Sequence, residues 1–176
     1  MNTRFDVRPH LDALWRYARV LTRDDPNADD LVQESLTRAL SLAKSYDRSR
    51  PLKPWLMAIV RNTHATSVAR RAREQGRLDA MAHLADDSLQ PTQEHALELN
   101  DVIRAMDRLP IEQAETLHLV AVSGLSYAEA ANVMDVATGT IMSRLSRARS
   151  ALRHYLEADA EPDKVVLRLV RGSNDG

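Results

Sequence analysis

Apolar residues recur every three or four positions along most of the chain, which is the spacing of helices that bury one face. The first stretch predicts a helix from about Val7 to Leu21, with an inward stripe of Leu11, Leu14, Trp15, Ala18 and Leu21. The second follows a predicted N-cap, Asp25, and places Ala28, Leu31, Val32, Leu36, Ala39, Leu40 and Ala43 inward. A third begins near Pro54 and is predicted to end at Gly76.

The pattern changes after Gly76. Residues 77–92 show no sustained period and predict a linker, which helices over 92–109 and 111–122 follow. Ser126 and Glu129 have the spacing of a capping box, in which each side chain bonds the other's backbone N–H. A short helix, a turn at 135–137 and a longer helix capped by Thr138 then predict a helix-turn-helix. The predicted fold is all-α: two small helical domains joined by a flexible linker.

Charge is unevenly distributed although the formal net charge is only -1. Arginines dominate residues 61–77, acids dominate 78–103, and arginines return over 144–153. Two basic blocks separated by an acidic spacer indicate two anion-facing surfaces. The chain has no cysteine and no long apolar run, so we expect a cytoplasmic protein without membrane insertion.

The helix predicted after Thr138 has two distinct faces. At about 100° per residue, one stripe is apolar and is predicted to be buried: Ile141, Leu145, Ala148 and Leu152. Thr140, Ser143, Arg147 and Ser150 face away, and Arg144 and Arg149 lie at the borders. Small hydroxyl residues allow close approach to a groove, and arginine forks match guanine edges or phosphates. The alternative is a solvated helix whose arginines only maintain solubility.

Several motifs resemble one known family. LP at 109–110, GLSYAEAA at 124–131 and GTIMSRLSRAR at 139–149 resemble the promoter-binding C-terminal domain of extracytoplasmic-function (ECF) sigma factors of bacterial RNA polymerase. DDLVQE at 29–34, PWLMAIVRN at 54–62 and RR at 70–71 resemble their N-terminal domain. The resemblance covers about residues 5–156. It implies a region 2-like domain at 1–76, an acidic linker at 77–92, a region 4-like domain at 93–158 and a tail at 159–176 without an assigned role.

The resemblance also implies roles for particular residues. The face that docks on core RNA polymerase is Asp29, Asp30, Gln33 and Glu34. The residues expected to hold the minus-ten element are Tyr46, Arg61, Asn62, His64, Arg70 and Arg71. Those expected at the minus-thirty-five element are Thr138, Thr140, Ser143, Arg144, Arg147 and Arg149. The expected partners are core RNA polymerase, promoter DNA and an anti-sigma factor, and the style of the motifs is similar to that of stress-response members.

Two features depart from the family pattern. The loop YDRSRPLKP at 46–54 contains few aromatic residues, and Met142 stands where a basic residue is expected. Three other functions are alternatives to that of a sigma factor. A sigma-like decoy that sequesters an anti-sigma factor is the main alternative function, and a plain helix-turn-helix repressor is the next. An enzyme is the least favoured class, because the chain has no phosphate-binding glycine loop, GxSxG or HExxH motif. No cofactor and no metal site are expected.

Overall fold

The computed structural model describes residues 5–79 and 104–159. A short 3₁₀ helix, Arg8–His10, precedes three helices: α1 (Leu11–Thr22), α2 (Asp25–Leu42) and α3 (Leu52–Asp79). After a helical segment at 104–107 come α4 (Ile111–Leu117), a π-helical turn (His118–Val122), α5 (Tyr127–Met134) and α6 (Thr138–Asp159). These ranges contain no strand, which confirms the all-α prediction. Most of the predicted linker and the tail after 159 lie outside them.

The helix-turn-helix begins at a capping box, as predicted. The Ser126 hydroxyl accepts from the Glu129 N–H at 3.2 Å, and the Glu129 carboxylate accepts from the Ser126 N–H at 2.8 Å. Gly124 adopts a φ of +70°, which reverses the chain before this cap. Asp135 ends α5 in the left-handed region at φ 53° and so makes the tight turn into α6.

Three predicted helix ends are wrong. The N-cap of α2 is Asp24 and not Asp25, because the Asp24 carboxylate accepts from the Asn27 N–H at 2.9 Å. Thr138 is not the cap of α6 but its first residue, because the Ala137 carbonyl accepts from the first-turn N–H groups. Gly76 does not end α3, which continues to Asp79; one glycine costs a helix only about 1 kcal/mol.

The N-terminal domain, helices α1–α3, packs around the inward stripes of all three. Its buried residues include Leu14, Ala18, Leu21, Leu31, Leu56 and Val60. Two residues of the predicted stripes are exposed instead, Leu11 by 39% and Leu40 by 63%. Both lie in a terminal turn of their helix, where the packing partner no longer covers the face.

The C-terminal domain, helices α4–α6, confirms the predicted buried stripe of the last helix. Ile141, Leu145 and Ala148 are at most 2% exposed, and Leu152 is half-buried. The two domains share one continuous apolar cluster, in which Leu119 of the π turn and residues of α5 join the core of α1–α3. No helix in the described ranges is long and apolar enough to cross a membrane.

Candidate nucleic-acid and polymerase interfaces

The outer face of α6 presents arginines and small hydroxyl residues to solvent. Thr138, Ser143, Arg147 and Arg149 are exposed, and Thr140 and Arg144 are half-buried. Within the described ranges, Arg147 and Arg149 form no ion pair and no side-chain hydrogen bond. The Ser143 hydroxyl donates to the Thr140 carbonyl at 3.0 Å, which keeps it close to the helix. All six residues predicted for this surface therefore lie on one helix, and its outer face presents the guanidinium groups of Arg147 and Arg149.

The acidic face of α2 is exposed along its whole length. Asp29, Asp30, Gln33 and Glu34 are all exposed. The Trp15 indole N–H donates to Asp29 at 2.7 Å, and Arg38 pairs with Glu34 at 2.7 Å one turn further along. These two contacts orient the carboxylates at either end of the face.

The polar side of α3 lies beside this acidic face. A cleft of about 270 Å³ separates the two helices, and its rim carries acids from α2 and His64, Arg70 and Arg71 from α3. Asn62, Arg70 and Arg71 are exposed, whereas His64 is half-buried. Burial lowers the pKa of His64, and the charges of Arg71 and Arg61 lower it further. The lowered pKa favours the neutral imidazole, which can both donate and accept a hydrogen bond.

Tyr46 is mostly buried in this structure. It is 7% exposed, and its hydroxyl donates to the Arg50 carbonyl. Its ring packs on Trp55 with the centroids 4.9 Å apart and on Phe5 at 5.9 Å. Tyr46 was expected to stack on a base, but in this structure its ring packs inside the aromatic cluster, and Trp55 packs against the core.

Arg61 faces the other domain. Its Nε donates at 2.9 Å to Oε1 of Glu115 on α4, and the hydroxyl of Tyr17 on α1 donates to the same oxygen at 2.6 Å. Glu115 is 4% exposed. Burial raises the pKa of its carboxyl, and the hydrogen bond from Tyr17 and the charges of Arg61 and Arg144 oppose that rise. Sequence reasoning missed Glu115, although a lone acid inside the run AETLHLV is a signal of a paired buried charge.

A helix-turn-helix with an arginine-rich outer face, joined to a three-helix domain with an acidic face, defines a class of two-domain helical regulators of DNA. Comparisons with known proteins narrow that class. The Sigma-70 region 2 family model matches residues 7–74, and the Sigma-70, region 4 model matches residues 89–152.

Individual relatives agree over nearly the whole chain. The ECF RNA polymerase sigma factor EcfG of Rhodopseudomonas palustris is 37% identical over 174 residues, 97% of this chain and 96% of that protein. The ECF sigma factor SigM of Bacillus subtilis is 30% identical, covering 82% of this chain and 88% of that one. The crystallised sigma factor RpoE of Bartonella quintana, in complex with the anti-sigma factor NepR, is 35% identical with a TM-score of 0.72, covering 87% of this chain and 95% of that one.

The chain therefore belongs to the ECF family of RNA polymerase sigma factors. It is a transcription initiation factor that binds core RNA polymerase and directs it to promoters. Its region 2 domain serves the minus-ten element and its region 4 domain the minus-thirty-five element.

Proposed function

We propose that three separate faces of the molecule carry the three contacts of initiation. The exposed face of α2 docks on core RNA polymerase through Asp29, Asp30, Gln33 and Glu34. Helix α3 holds the unpaired minus-ten strand through Asn62, His64, Arg70 and Arg71, and also through Arg61, which faces the C-terminal domain in this structure. The outer face of α6 reads the minus-thirty-five duplex through Thr138, Thr140, Ser143, Arg144, Arg147 and Arg149.

The observation that carries this proposal is the division of α6 into two faces. Ile141 and Leu145 are buried beneath it, whereas Arg147 is exposed and without an ion pair in the described ranges. An unpaired guanidinium on the second helix of a helix-turn-helix is free to bind guanine O6 and N7 in the major groove. Flanking hydroxyl side chains are short enough to let the helix approach the groove, and they also reach phosphates.

The contacts assigned to α3 use charge and hydrogen bonding more than stacking. Tyr46 is buried in this structure, so we leave it out of the minus-ten contacts. Arg70 and Arg71 lie on an exposed stretch of α3, and His64 lies deeper in the cleft against α2. Arginines that follow a strand's phosphates, with a deeper hydrogen-bonding group for a base edge, suit single-strand capture.

We also propose that an anti-sigma factor regulates the protein. The related RpoE of Bartonella quintana was crystallised with the anti-sigma factor NepR. Further, CnrH, 28% identical with a TM-score of 0.62 over 87% of this chain and 86% of that one, was solved with the cytosolic domain of CnrY. We place the protein in the cytoplasm with its polymerase, and we assign it no catalytic activity and no cofactor of its own.

Transcription reconstituted from purified parts tests the proposal. Core RNA polymerase and this chain are incubated with genomic fragments, protected promoters are identified by footprinting, and transcripts are started on them. We expect specific transcripts that depend on both proteins. Failure to start any transcript, together with tight binding of an anti-sigma factor, would establish the decoy function instead.

A variant pair tests the α2 face in the same assay. Asp30→Asn removes one exposed charge from the proposed docking face, and Asp12→Asn removes one exposed charge from α1 as the matched control. We expect weaker binding to core polymerase for Asp30→Asn alone, measured by titration of a labelled chain. Equal binding by both variants would remove α2 from the docking surface.

A further inference from the structure

The two domains meet through polar contacts that converge on Glu115. Its Oε1 accepts from the Tyr17 hydroxyl at 2.6 Å and from Arg61 Nε at 2.9 Å, and both donors belong to the N-terminal domain. Tyr17 is fully buried and Glu115 is 4% exposed, so water cannot replace either partner without movement of the domains. As long as Glu115 is buried, its carboxylate depends on these two donors from the opposite domain, because an unpaired buried charge is costly.

Further contacts surround this centre. The rings of Tyr17 and His118 stack with centroids 5.7 Å apart and an interplanar angle of 19°. Arg19 pairs with Asp107 at 3.5 Å, the Arg23 guanidinium donates to the Leu109 carbonyl, and the Lys53 ammonium donates to the Ser123 carbonyl. Each of these pairs joins the N-terminal domain to the C-terminal one, on top of the shared apolar cluster.

Glu115 lies where it affects both proposed nucleic-acid surfaces. It holds Arg61, which belongs to the minus-ten set on α3. It also lies within electrostatic range of Arg144, which belongs to the minus-thirty-five set on α6. Because a carboxylate and a phosphate bind the same guanidinium N–H groups, the Arg61 Nε that Glu115 holds cannot bind a phosphate at the same time.

We propose that Glu115 is an intramolecular latch: it holds the free chain in a closed state in which Arg61 is unavailable to nucleic acid, and the domains separate when the chain binds polymerase and promoter. The closed state suppresses binding of the free chain to single strands. The masking of Arg61 rests on the proposed minus-ten function, whereas the latch itself rests only on the contacts between the domains.

The closed state is measured by energy transfer between two dyes on the full chain. The chain has no native cysteine, so Ser41→Cys on α2 and Ala128→Cys on α5, both exposed, provide unique attachment sites on the two domains. Glu115→Ala removes the acceptor and leaves the buried Tyr17 hydroxyl unpaired in the closed state. Glu112→Ala, an exposed glutamate one turn earlier on α4, is the matched control.

We expect Glu115→Ala to shift the closed-to-open ratio about tenfold, as for loss of a buried charged hydrogen bond, and to lower the transfer efficiency. Glu115→Gln, which keeps an acceptor oxygen, shifts the ratio less, and Glu112→Ala behaves as the parent. Circular dichroism of each variant verifies that the helices are retained. Unchanged transfer efficiency in folded Glu115→Ala overturns the latch, and so does an equal change in Glu112→Ala.

Binding of a labelled single-stranded minus-ten oligonucleotide tests the masking of Arg61. We expect the free Glu115→Ala chain to bind it several-fold more tightly than the parent, and Arg61→Ala to abolish this gain in the double variant. If the domains of Glu115→Ala separate without any gain in affinity for the oligonucleotide, and Arg61→Ala still impairs transcription by the holoenzyme, the masking of Arg61 is overturned. If Arg61→Ala leaves transcription intact, the proposed minus-ten role of Arg61 fails, and the latch is then decided by transfer efficiency alone.

Discussion

The basic surfaces of α3 and α6 differ in what their arginines contact. On α6, Arg147 and Arg149 extend into solvent with no ion pair in the described ranges. On α3, Arg61 is held by Glu115 of the other domain, and Arg70 lies 4.0 Å from Glu74 on its own helix. The surface proposed for duplex DNA is therefore open in the free chain, whereas the surface proposed for the melted strand is partly occupied.

The difference suits the order in which a promoter offers its features. A duplex element is present before polymerase acts, whereas an unpaired strand exists only after melting begins. A surface that reads duplex gains from being exposed at first encounter, and a surface that binds single strands would capture unrelated nucleic acid if it were exposed all the time.

Removal of the packing beneath α6 is expected to have the largest effect on this comparison. Ile141 is fully buried, so Ile141→Ala should lower the free energy of unfolding by about 2–5 kcal/mol, through lost burial and the cavity left behind. Met142, the next residue, is 55% exposed, and Met142→Ala should change stability by no more than about 0.5 kcal/mol. Urea titration measures both variants. Similar losses for the two would mean that α6 does not separate a buried face from a reading face.

Acid should weaken the interface between the domains through His118. Burial lowers its pKa to about 4, with smaller contributions from Lys53 and Arg16. The exposed imidazole of the unfolded chain, with a pKa near 6.5, is protonated first as pH falls, so stability is lost between about pH 6.5 and 4, by roughly 2–3 kcal/mol. The measurement is the difference in the pH dependence of unfolding between the parent and His118→Gln.

The titration of Glu115 does not obscure the difference in pH dependence between the parent and His118→Gln. Burial raises the pKa of Glu115, so its contribution has the opposite sign and favours the folded state in acid. It is present in both chains of the comparison and cancels to first order. Parallel pH profiles for the parent and His118→Gln would contradict the predicted role of His118.

Arg147→Ala tests the contrast between α3 and α6 through the affinity of the α6 surface for DNA. If Arg147 binds a guanine, the holoenzyme should lose about 1–3 kcal/mol of affinity at the minus-thirty-five element and tolerate base changes there. Arg153, which is exposed six residues further along α6, supplies the control variant Arg153→Ala. Competition binding with promoter variants measures both. If both variants lost the same affinity for every promoter sequence, the α6 arginines would contribute only non-specific electrostatic attraction.

The smallest predicted effect concerns the entry to the helix-turn-helix. Ser126→Ala removes the acceptor for the Glu129 N–H and should cost about 1 kcal/mol of stability. Ser146→Ala, at an exposed position inside α6, removes a hydroxyl without a cap and should be close to neutral. Thermal unfolding of both variants checks the difference. A neutral Ser126→Ala would show that tertiary packing alone holds α5 in place.

Sequence reasoning succeeded where the determining contacts are local. The stripe beneath α6 and the capping box at Ser126 depend on residues at most a few positions apart. Such contacts recur with the helical period and can be read from one chain. The division of α6 into a buried and an exposed face follows from that period alone.

Contacts between distant residues were not predictable in this way. Tyr17 and Glu115 are separated by 98 positions and Arg61 and Glu115 by 54, and no periodic pattern relates them. The packing of Tyr46 was not predicted for a similar reason: an aromatic residue in a polar loop suggests a stacking platform, but in this structure Trp55 and Phe5 pack against its ring. The extension of α3 past Gly76 shows in turn that one unfavourable residue does not end a helix.

With that extension, the end of α3 is a long, solvent-exposed stretch of helix. The helix has 28 residues and is therefore about 42 Å long, and every residue from 68 to 75 is exposed. A solvent-exposed helix end has few tertiary contacts that slow the opening of its backbone hydrogen bonds, so its amides should exchange hydrogen rapidly in the free chain. Binding of a nucleic-acid strand to its arginines should slow that exchange. The exchange rate at the end of α3 therefore distinguishes the free chain from the promoter-bound one.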